Sequence, residues 1–329
     1  MTPGTDLAIV TPVFNDWETL KSLLPSIDRV LAESGCGGRI VVIDDGSSSF
    51  VEPADFADLR LRAIREVDVV TLTRNLGNQR AIAVGIAYVA ANVPCDALIV
   101  MDCDHEDKPE YIPSLLAKLH EGPEQRIVFA ARTERSEGKA FRLFYGLYTW
   151  LYRHLTGLPI SIGNFSAIPR RLIPRVAGIS EIWSHFPAGI MRARVPFTTI
   201  PSVRGKRLHG KGRTNFVALI IHGLSGFAVH ADVVVVRVLI VLLLLTLAIL
   251  GYMLVLAVRK FFIGDLIVGW ATQVFGVLGG IVFQAVLSAL LVIFLVLAGR
   301  NQRAVIPSRD YQAYIMETVR VFPQARDKI

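Results

Sequence analysis

Cysteine is scarce in this chain. Cys36, Cys95 and Cys103 are the only three, and no two form a C-x-x-C pair, which leaves no basis for a paired-cysteine metal or redox centre. The opening residues, MTPGTDLAIVTPVFND, lack a basic segment followed by a long apolar one. No signal peptide is therefore expected, and the N-terminal part is placed in the cytosol. G-x-G-x-x-G is missing after the first apolar run, where Thr-Pro-Val-Phe-Asn stands instead. That excludes a glycine loop of the dinucleotide type as the means of holding phosphate. Internal repeats and low-complexity tracts are also absent. The most informative absence is of charge: Val238 to Val258 and Leu266 to Gly299 contain no charged residue.

Those two stretches account for a hydrophobic share of 52% and a mean hydropathy of +0.47 in a chain of 329 residues. About 20 apolar residues at ~1.5 Å rise each cross a ~30 Å hydrocarbon core. Two transmembrane helices are predicted, near 236–258 and 274–298. Arg300, Arg303 and Arg309 follow the second span and Arg237 opens the first, whereas only Arg259 and Lys260, opposed by Asp265, sit in the connecting loop. By the excess of basic residues on the cytosolic side, both termini are expected in the cytosol. Asn215–Val229, apolar and uncharged apart from two histidines, reads as a helix lying in the membrane interface.

The net charge of +7 and pI near 9.5 call for an anionic partner. Arg204, Lys206, Arg207, Lys211 and Arg213 crowd one stretch just before the membrane segment. Such a cluster suits anionic lipid headgroups or a phosphorylated substrate, at ~1 kcal/mol per basic residue near a bilayer, and nucleic acid is not expected.

Over the first two hundred residues, short apolar runs alternate with helical patterns. Leu7–Thr11, Ile40–Ile43, Val67–Leu72, Ala97–Met101 and Ile127–Ala131 read as buried strands. Leu20 to Leu31, Gln79–Ala91 and Glu110–Glu121 read as helices, the first kinked or shortened by Pro25. Ala140–Leu155 is predicted as a helix with an aromatic face, assigned to core packing rather than to the membrane surface. The alternation predicts an α/β domain with a mostly parallel sheet. The expected layout is a domain over 1–214, an interfacial region over 215–232, the two spans within 233–299, and a cytosolic tail over 300–329.

Polar residues gather where the apolar runs end, and an open α/β sheet binds its ligand at that edge. ALIVMDCDHEDKPE at 97–110 runs from apolar residues into Asp102 and Asp104, with Glu106 and Asp107 behind. If the strand persists, Asp102 and Asp104 point the same way and Cys103 points away. Mg²⁺ or Mn²⁺ takes a few carboxylate oxygens plus substrate phosphates, so this is a candidate metal site for a nucleotide diphosphate. A solvated acidic loop before a helix is the plainer alternative. Asp44-Asp45-Gly46-Ser47-Ser48 ends the second run; it can accept hydrogen bonds from a base or ribose, or can be a helix-capping turn.

PVFN at 12–15, VVIDDGSS at 41–48, RNLGNQRAIAVG at 74–85 and MDCDHEDKPE at 101–110 occur in the order seen in family 2 glycosyltransferases of the GT-A fold. With two C-terminal spans and Gly269-Trp270 before the second, the chain resembles the polyprenyl-phosphate glycosyltransferases. The resemblance implies an inverting enzyme that moves a hexose from a nucleotide-diphosphate sugar, UDP-linked by analogy with the glucosyltransferase branch, to a polyprenyl phosphate. It places Pro12, Phe14, Asn15, Asp44, Asp45, Arg74 and Asp102 around the nucleotide, and a Mg²⁺ or Mn²⁺ ion at Asp102, Asp104 and Glu106, the last standing where the family usually has Gln. Arg132 matches one phosphate-binding arginine. Arg207, in R-x-x-G-x-G-R, matches another, with Lys211 and with Arg213 in place of the usual Lys toward the acceptor phosphate. Asp104, Arg132 and Arg207 are the implied catalytic residues. A homo-oligomer is left open.

One departure bears on the acceptor. Several relatives have an acidic residue, assigned a catalytic role, where this chain reads Gly163-Asn164-Phe165-Ser166. A phosphate acceptor, with a second pKa of ~6, needs no strong base at neutral pH. A hydroxyl acceptor does, and Asp104, Glu181 and His185 are then the candidates, His185 being read more readily as structural. Transfer to a hydroxyl of a membrane lipid or glycan is thus the alternative. An inactive membrane scaffold is a third. The Q-x-x-R-W string of processive synthases is absent, which argues against polymer synthesis.

Overall fold

A computed structural model describes residues 4–49, 51–121, 125–132, 139–157, 162–205, 216–264, 269–300 and 303–323. It divides into two compact units: residues 1–143, 160–229 and 304–329 form one, and 144–159 with 230–303 form the other.

The first unit is built on an eight-stranded sheet in the order β7-β5-β6-β4-β1-β2-β3-β8. Its strands are β1 (Asp6–Val13), β2 (Gly37–Asp44), β3 (Ile64–Leu72), β4 (Ala97–Val100), β5 (Ile127–Arg132), β6 (Ile162–Pro169), β7 (Phe197–Ser202) and β8 (Ile315–Phe322). The central strands β4, β1, β2 and β3 run parallel, whereas β6 and β8 pair antiparallel with β4 and β3. The five predicted strands are all present, because each is an apolar run buried on both faces of the sheet. Leu7, Ile9, Ile40 and Val42 pack into one core layer, and Ala8, Val10, Val41 and Ile43 into the other. Each fully buried aliphatic side chain contributes about 1.5–3 kcal/mol of transfer free energy.

Helices α1 (Trp17–Glu33), α2 (Asn78–Asn92), α3 (Ile112–Leu119), α5 (Ile173–Ala177) and α6 (Phe186–Arg192) belong to this unit, as does α7 (Phe216–Val229), while α4 (Lys139–Thr156) bridges the division between the two. Pro25 does not shorten α1, which continues for two more turns beyond it. The proline lies on the exposed side of the helix, with Leu24 and Ile27 buried beside it, so the carbonyl that loses its N–H partner is left toward water. The predicted third helix is split, a 3₁₀ turn at Pro109–Tyr111 preceding α3.

Three strands are additions to the predicted set, and β8 corrects the expected tail. Residues 307–310 form a short helix, α10, and Ile315–Phe322 then pairs along β3 as an edge strand. Arg320 binds Asp68 through Nε at 2.7 Å and Nη2 at 3.1 Å, Nη2 also lies 2.9 Å from Glu66, and Val321 is fully buried.

The second unit holds α8 (Ala231–Val258) and α9 (Trp270–Arg300). Apolar windows over Ala231–Phe262 and Thr272–Gly299 are long enough to cross a bilayer, with none of either window buried inside the protein. Helix α4 corrects the core-packing assignment, since from Phe144 onward it groups with these two helices rather than with the sheet. Tyr152 is buried with its ring 6.2 Å from that of His230, Arg237 donates to the carbonyl of His154, and Trp150 and Leu151 are exposed. Tyr152 serves packing at the head of α8 and Trp150 an exposed surface, two demands that can share the periodicity of a domain core.

Candidate active site

The loops after β1, β2, β3 and β4 meet along one edge of the sheet. After β1, Asn15 takes a positive φ of 52° and ties this loop to the next. Its backbone N–H donates to Ser47 Oγ at 2.8 Å, and its Oδ1 accepts from the N–H and the hydroxyl of Ser48, both at 2.8 Å. Pro12 is buried inside β1, opposite Ile43, while Phe14 is exposed at the rim.

Asp44 and Asp45 are both buried. Asp44 Oδ1 accepts from the N–H of Ser47 at 2.9 Å, and burial raises its pKa against that bond. Asp45 Oδ1 accepts from the N–H of Leu76 at 2.6 Å and Oδ2 from that of Gly77 at 2.9 Å. Burial pushes its carboxyl up to about 6; the two N–H bonds and Arg80 oppose the rise, and Asp44 adds to it. Asp45 thereby fixes the loop that presents Arg74, whose side chain is exposed. Gly46, at φ 70°, completes the arrangement: a Cβ there would lie 2.6 Å from the backbone nitrogen of Asn75. Only glycine allows that approach.

The strand does not persist to the acidic pair. Strand β4 ends at Val100, Met101 still bonds the carbonyl of Val10, and the chain then turns with the buried carboxylate of Asp107 accepting the N–H of Asp102 at 3.0 Å. The alternation survives the turn. Met101 and Cys103 are buried, while Asp102 and Asp104 are partly exposed. Asn78 donates to Asp102 Oδ1 at 3.2 Å, and Asp104 Oδ1 accepts the N–H of Glu106 at 3.0 Å. His105, at φ 64°, is held to α1 by a 2.8 Å contact between Nε2 and Ser22 Oγ.

Glu106 is engaged by Arg204, with Nε 2.7 Å from Oε2 and Nη2 on the same oxygen. Gly205 adds a backbone bond to the carbonyl of Glu106 at 2.8 Å. Among the described residues no three His, Cys, Asp or Glu side chains converge as a metal-ligand set. Mg²⁺ is commonly held by one or two carboxylates together with substrate phosphates and water, and Asp102 and Asp104 are partly exposed carboxylates of that kind.

Arg132 ends β5 opposite Ser202 of β7; its side chain lies outside the described atoms. Lys206, Arg207, Lys211 and Arg213 lie outside the described residues. Asn164, on β6, accepts from Gln79 Nε2 at 3.1 Å, while Gln79 Oε1 accepts the N–H of Phe186 at 2.7 Å. Glu181 is bound to Arg192 at 3.2 Å, and His185 caps α6 by accepting the N–H of Ala188 at 3.3 Å. Gln79, Asn78, Asp107 and Tyr111, whose hydroxyl accepts the N–H of Val203 at 2.9 Å, carry no site role in the sequence pattern. Of these, only Asp107, in an acidic run before Pro109, carried a local signal.

Residues 8–172, half of the chain, match the model of the family described as Glycosyl transferase family 2. The chain belongs to glycosyl transferase family 2. The sheet agrees with the GT-A architecture implied by its motifs, and the two apolar helices come between β7 and β8 in the chain. Undecaprenyl-phosphate 4-deoxy-4-formamido-L-arabinose transferases of Salmonella paratyphi B and Salmonella newport are 28% identical to this family 2 chain over 228 residues, 66% of its length. The match spans 65% of the length of those relatives. Glucosyl-3-phosphoglycerate synthase from Mycobacterium tuberculosis, solved with Mn²⁺, UDP-glucose and phosphoglyceric acid, is 17% identical, with 70% of this chain and 80% of that one covered at a TM-score of 0.49. Mannosyl-3-phosphoglycerate synthase from Rubrobacter xylanophilus is 16% identical, with 69% and 73% covered at the same TM-score.

Proposed function

We propose that this chain is a membrane-anchored, inverting glycosyltransferase that moves a hexose from a UDP-sugar to a polyprenyl phosphate on the cytosolic leaflet. The observation that carries the reading is the docking of Arg204 and Gly205 on Glu106, which joins the start of the basic stretch to the acidic loop. Arg207 follows Gly205 by two residues in the sequence. A polyanionic donor and an anionic acceptor call for such a meeting of carboxylates and guanidinium groups.

The loops bearing Asn15, Asp44, Asp45 and Arg74 receive the nucleoside, with Asp102 at the ribose. Asp102 and Asp104 would hold Mg²⁺ or Mn²⁺, which would neutralise charge on the donor diphosphate. As the bond from the anomeric carbon to the diphosphate oxygen breaks, negative charge grows on the leaving group, and Arg132 and Arg207 stabilise it through forked N–H donors. An acceptor phosphate oxygen forms the new bond from the opposite face of the sugar. That oxygen arrives largely ionised at neutral pH, so Asn164, whose amide is occupied with Gln79, need not take a proton. Lys211 and Arg213 serve the acceptor phosphate. The name of the Salmonella relatives, with its undecaprenyl phosphate, supports this acceptor class.

The test is to incubate membranes containing the protein with a panel of labelled nucleotide sugars and extract the lipid. A lipid-linked, mild-acid-labile product is expected from a UDP-sugar. A panel that labels no lipid would overturn the reading.

A further inference from the structure

The segment after the second apolar helix reaches the loop assigned to the donor. Strand β3 ends at Leu72, paired with Ile315, and the next residue, Thr73, donates its N–H to the carbonyl of Tyr314 at 2.9 Å. Thr73 begins the loop whose far end, Leu76 and Gly77, is bound by Asp45. Arg74 and Asn75 are thus held between two anchors, one just after β2 and one from a segment more than two hundred residues later.

The Tyr314 side chain makes a second connection. Its ring lies 4.7 Å from that of Trp183, tilted by 44°, and the guanidinium of Arg80 stands 5.9 Å from the Trp183 ring. Arg80 is in the first turn of α2, just past the same loop. Tyr311 fixes the segment from behind: it is buried in the core, and its hydroxyl accepts from Asn92 Nδ2 on α2 at 3.3 Å. Aromatic and cation–π contacts of this kind favour one arrangement of a short exposed loop. None of this is needed to close the sheet, because β8 pairs with β3 beyond Ile315.

We infer that Tyr314 is a positioning residue for the donor site, setting the Thr73–Gly77 loop and Arg80 through its carbonyl and its ring; this rests on the reading of that loop as the nucleotide site. Its effect is on donor affinity, since Tyr314 lies behind the loop rather than beside the acidic pair. The expected consequence of Tyr314→Ala is about tenfold weaker binding of UDP in the presence of Mn²⁺. The KM for polyprenyl phosphate and the turnover at saturating donor should stay within twofold of wild type. Tyr314→Phe, which like Tyr314→Ala keeps the carbonyl but also keeps the ring, should restore UDP binding to within twofold.

The experiment is calorimetric titration of the full-length detergent-solubilised protein with UDP and Mn²⁺, alongside steady-state kinetics, for wild type, both Tyr314 variants and Arg74→Ala. If Tyr314→Ala is not obtained folded, Trp183→Leu removes the other half of the stack and must show the same loss. Weakened UDP binding in Arg74→Ala together with unchanged binding in Tyr314→Ala overturns the positioning role and leaves the donor site standing. Unchanged UDP binding in both removes the donor-site reading and this inference with it. A loss in Tyr314→Ala that Tyr314→Phe fails to restore also overturns it.

Discussion

Gly205 and His105 approach so closely that a Cβ on Gly205 would lie 2.0 Å from the carbonyl oxygen of His105. That oxygen is backbone and cannot turn aside. Gly205→Ala must therefore push the basic stretch off the acidic loop, breaking the bond from Gly205 to Glu106 and the ion pair of Arg204 with Glu106. Both lie at the rim of the domain, so the fold should persist. Transfer is expected to fall more than tenfold with a melting temperature within a few degrees of wild type. Full activity in a folded variant would refute the docking of the two loops as a requirement for transfer.

Asp104→Asn addresses the acidic pair. Asn keeps the shape and can still accept the N–H of Glu106, but it removes the charge a metal needs. Losing a ligand where negative charge develops should cost several kcal/mol of transition-state stabilisation, on the order of a hundredfold in rate or more. Transfer assays over a Mn²⁺ titration check this. Activity within tenfold of wild type would contradict the assignment.

Asp45 gives a pH signature with a definite sign. Its carboxyl is raised from 3.8 to about 6 in the folded protein, so the folded state binds the proton more tightly than the unfolded chain. Stability from this group is then greatest at low pH and is lost as pH rises through about 6. Donor affinity should move the opposite way, because only the ionised carboxylate offers both oxygens to Leu76 and Gly77. Donor binding measured from pH 5 to 7.5 should strengthen through about pH 6, and Asp45→Asn should bind weakly at every pH. A flat wild-type profile would count against Asp45 as the anchor of the loop.

Strand β8 bears on topology. It follows both apolar helices yet lies in the same sheet as β1, so the chain must return to the side from which it left. If the domain is cytosolic, as proposed, Ser308→Cys should react with an impermeant thiol reagent only after the membrane is opened, and Phe262→Cys should react in intact cells. The native cysteines are all buried, which keeps the background low. Labelling of Ser308→Cys from outside would reverse the orientation.

Much of the domain was legible in the chain because β1 to β5 are apolar runs buried on both faces. Strand β6 interrupts that signal with Gly163 and Asn164, β7 with Thr198, Thr199 and Pro201, and β8 alternates as a half-exposed edge lying beyond two membrane-length helices. The site was legible as residue types at strand ends. Its bonding was less so, because Asp45 and Asp107 bind backbone N–H groups, which any sequence supplies. Gln79 reaches Asn164 and Phe186 across 85 and 107 positions, and no local pattern marks such a pairing. The aromatic face of α4 was visible, but the same periodicity serves a core and the head of a membrane hairpin.

Transfer to a phosphate rather than to a hydroxyl is tested most directly with paired acceptors. Purified protein, UDP-sugar donor and Mn²⁺ should be supplied in parallel with a polyprenyl phosphate and with the polyprenol of the same chain length, and the labelled lipid counted. Product is expected from the phosphate, released by mild acid, and none from the alcohol. An acid-stable product from the alcohol, with none from the phosphate, would contradict this expectation.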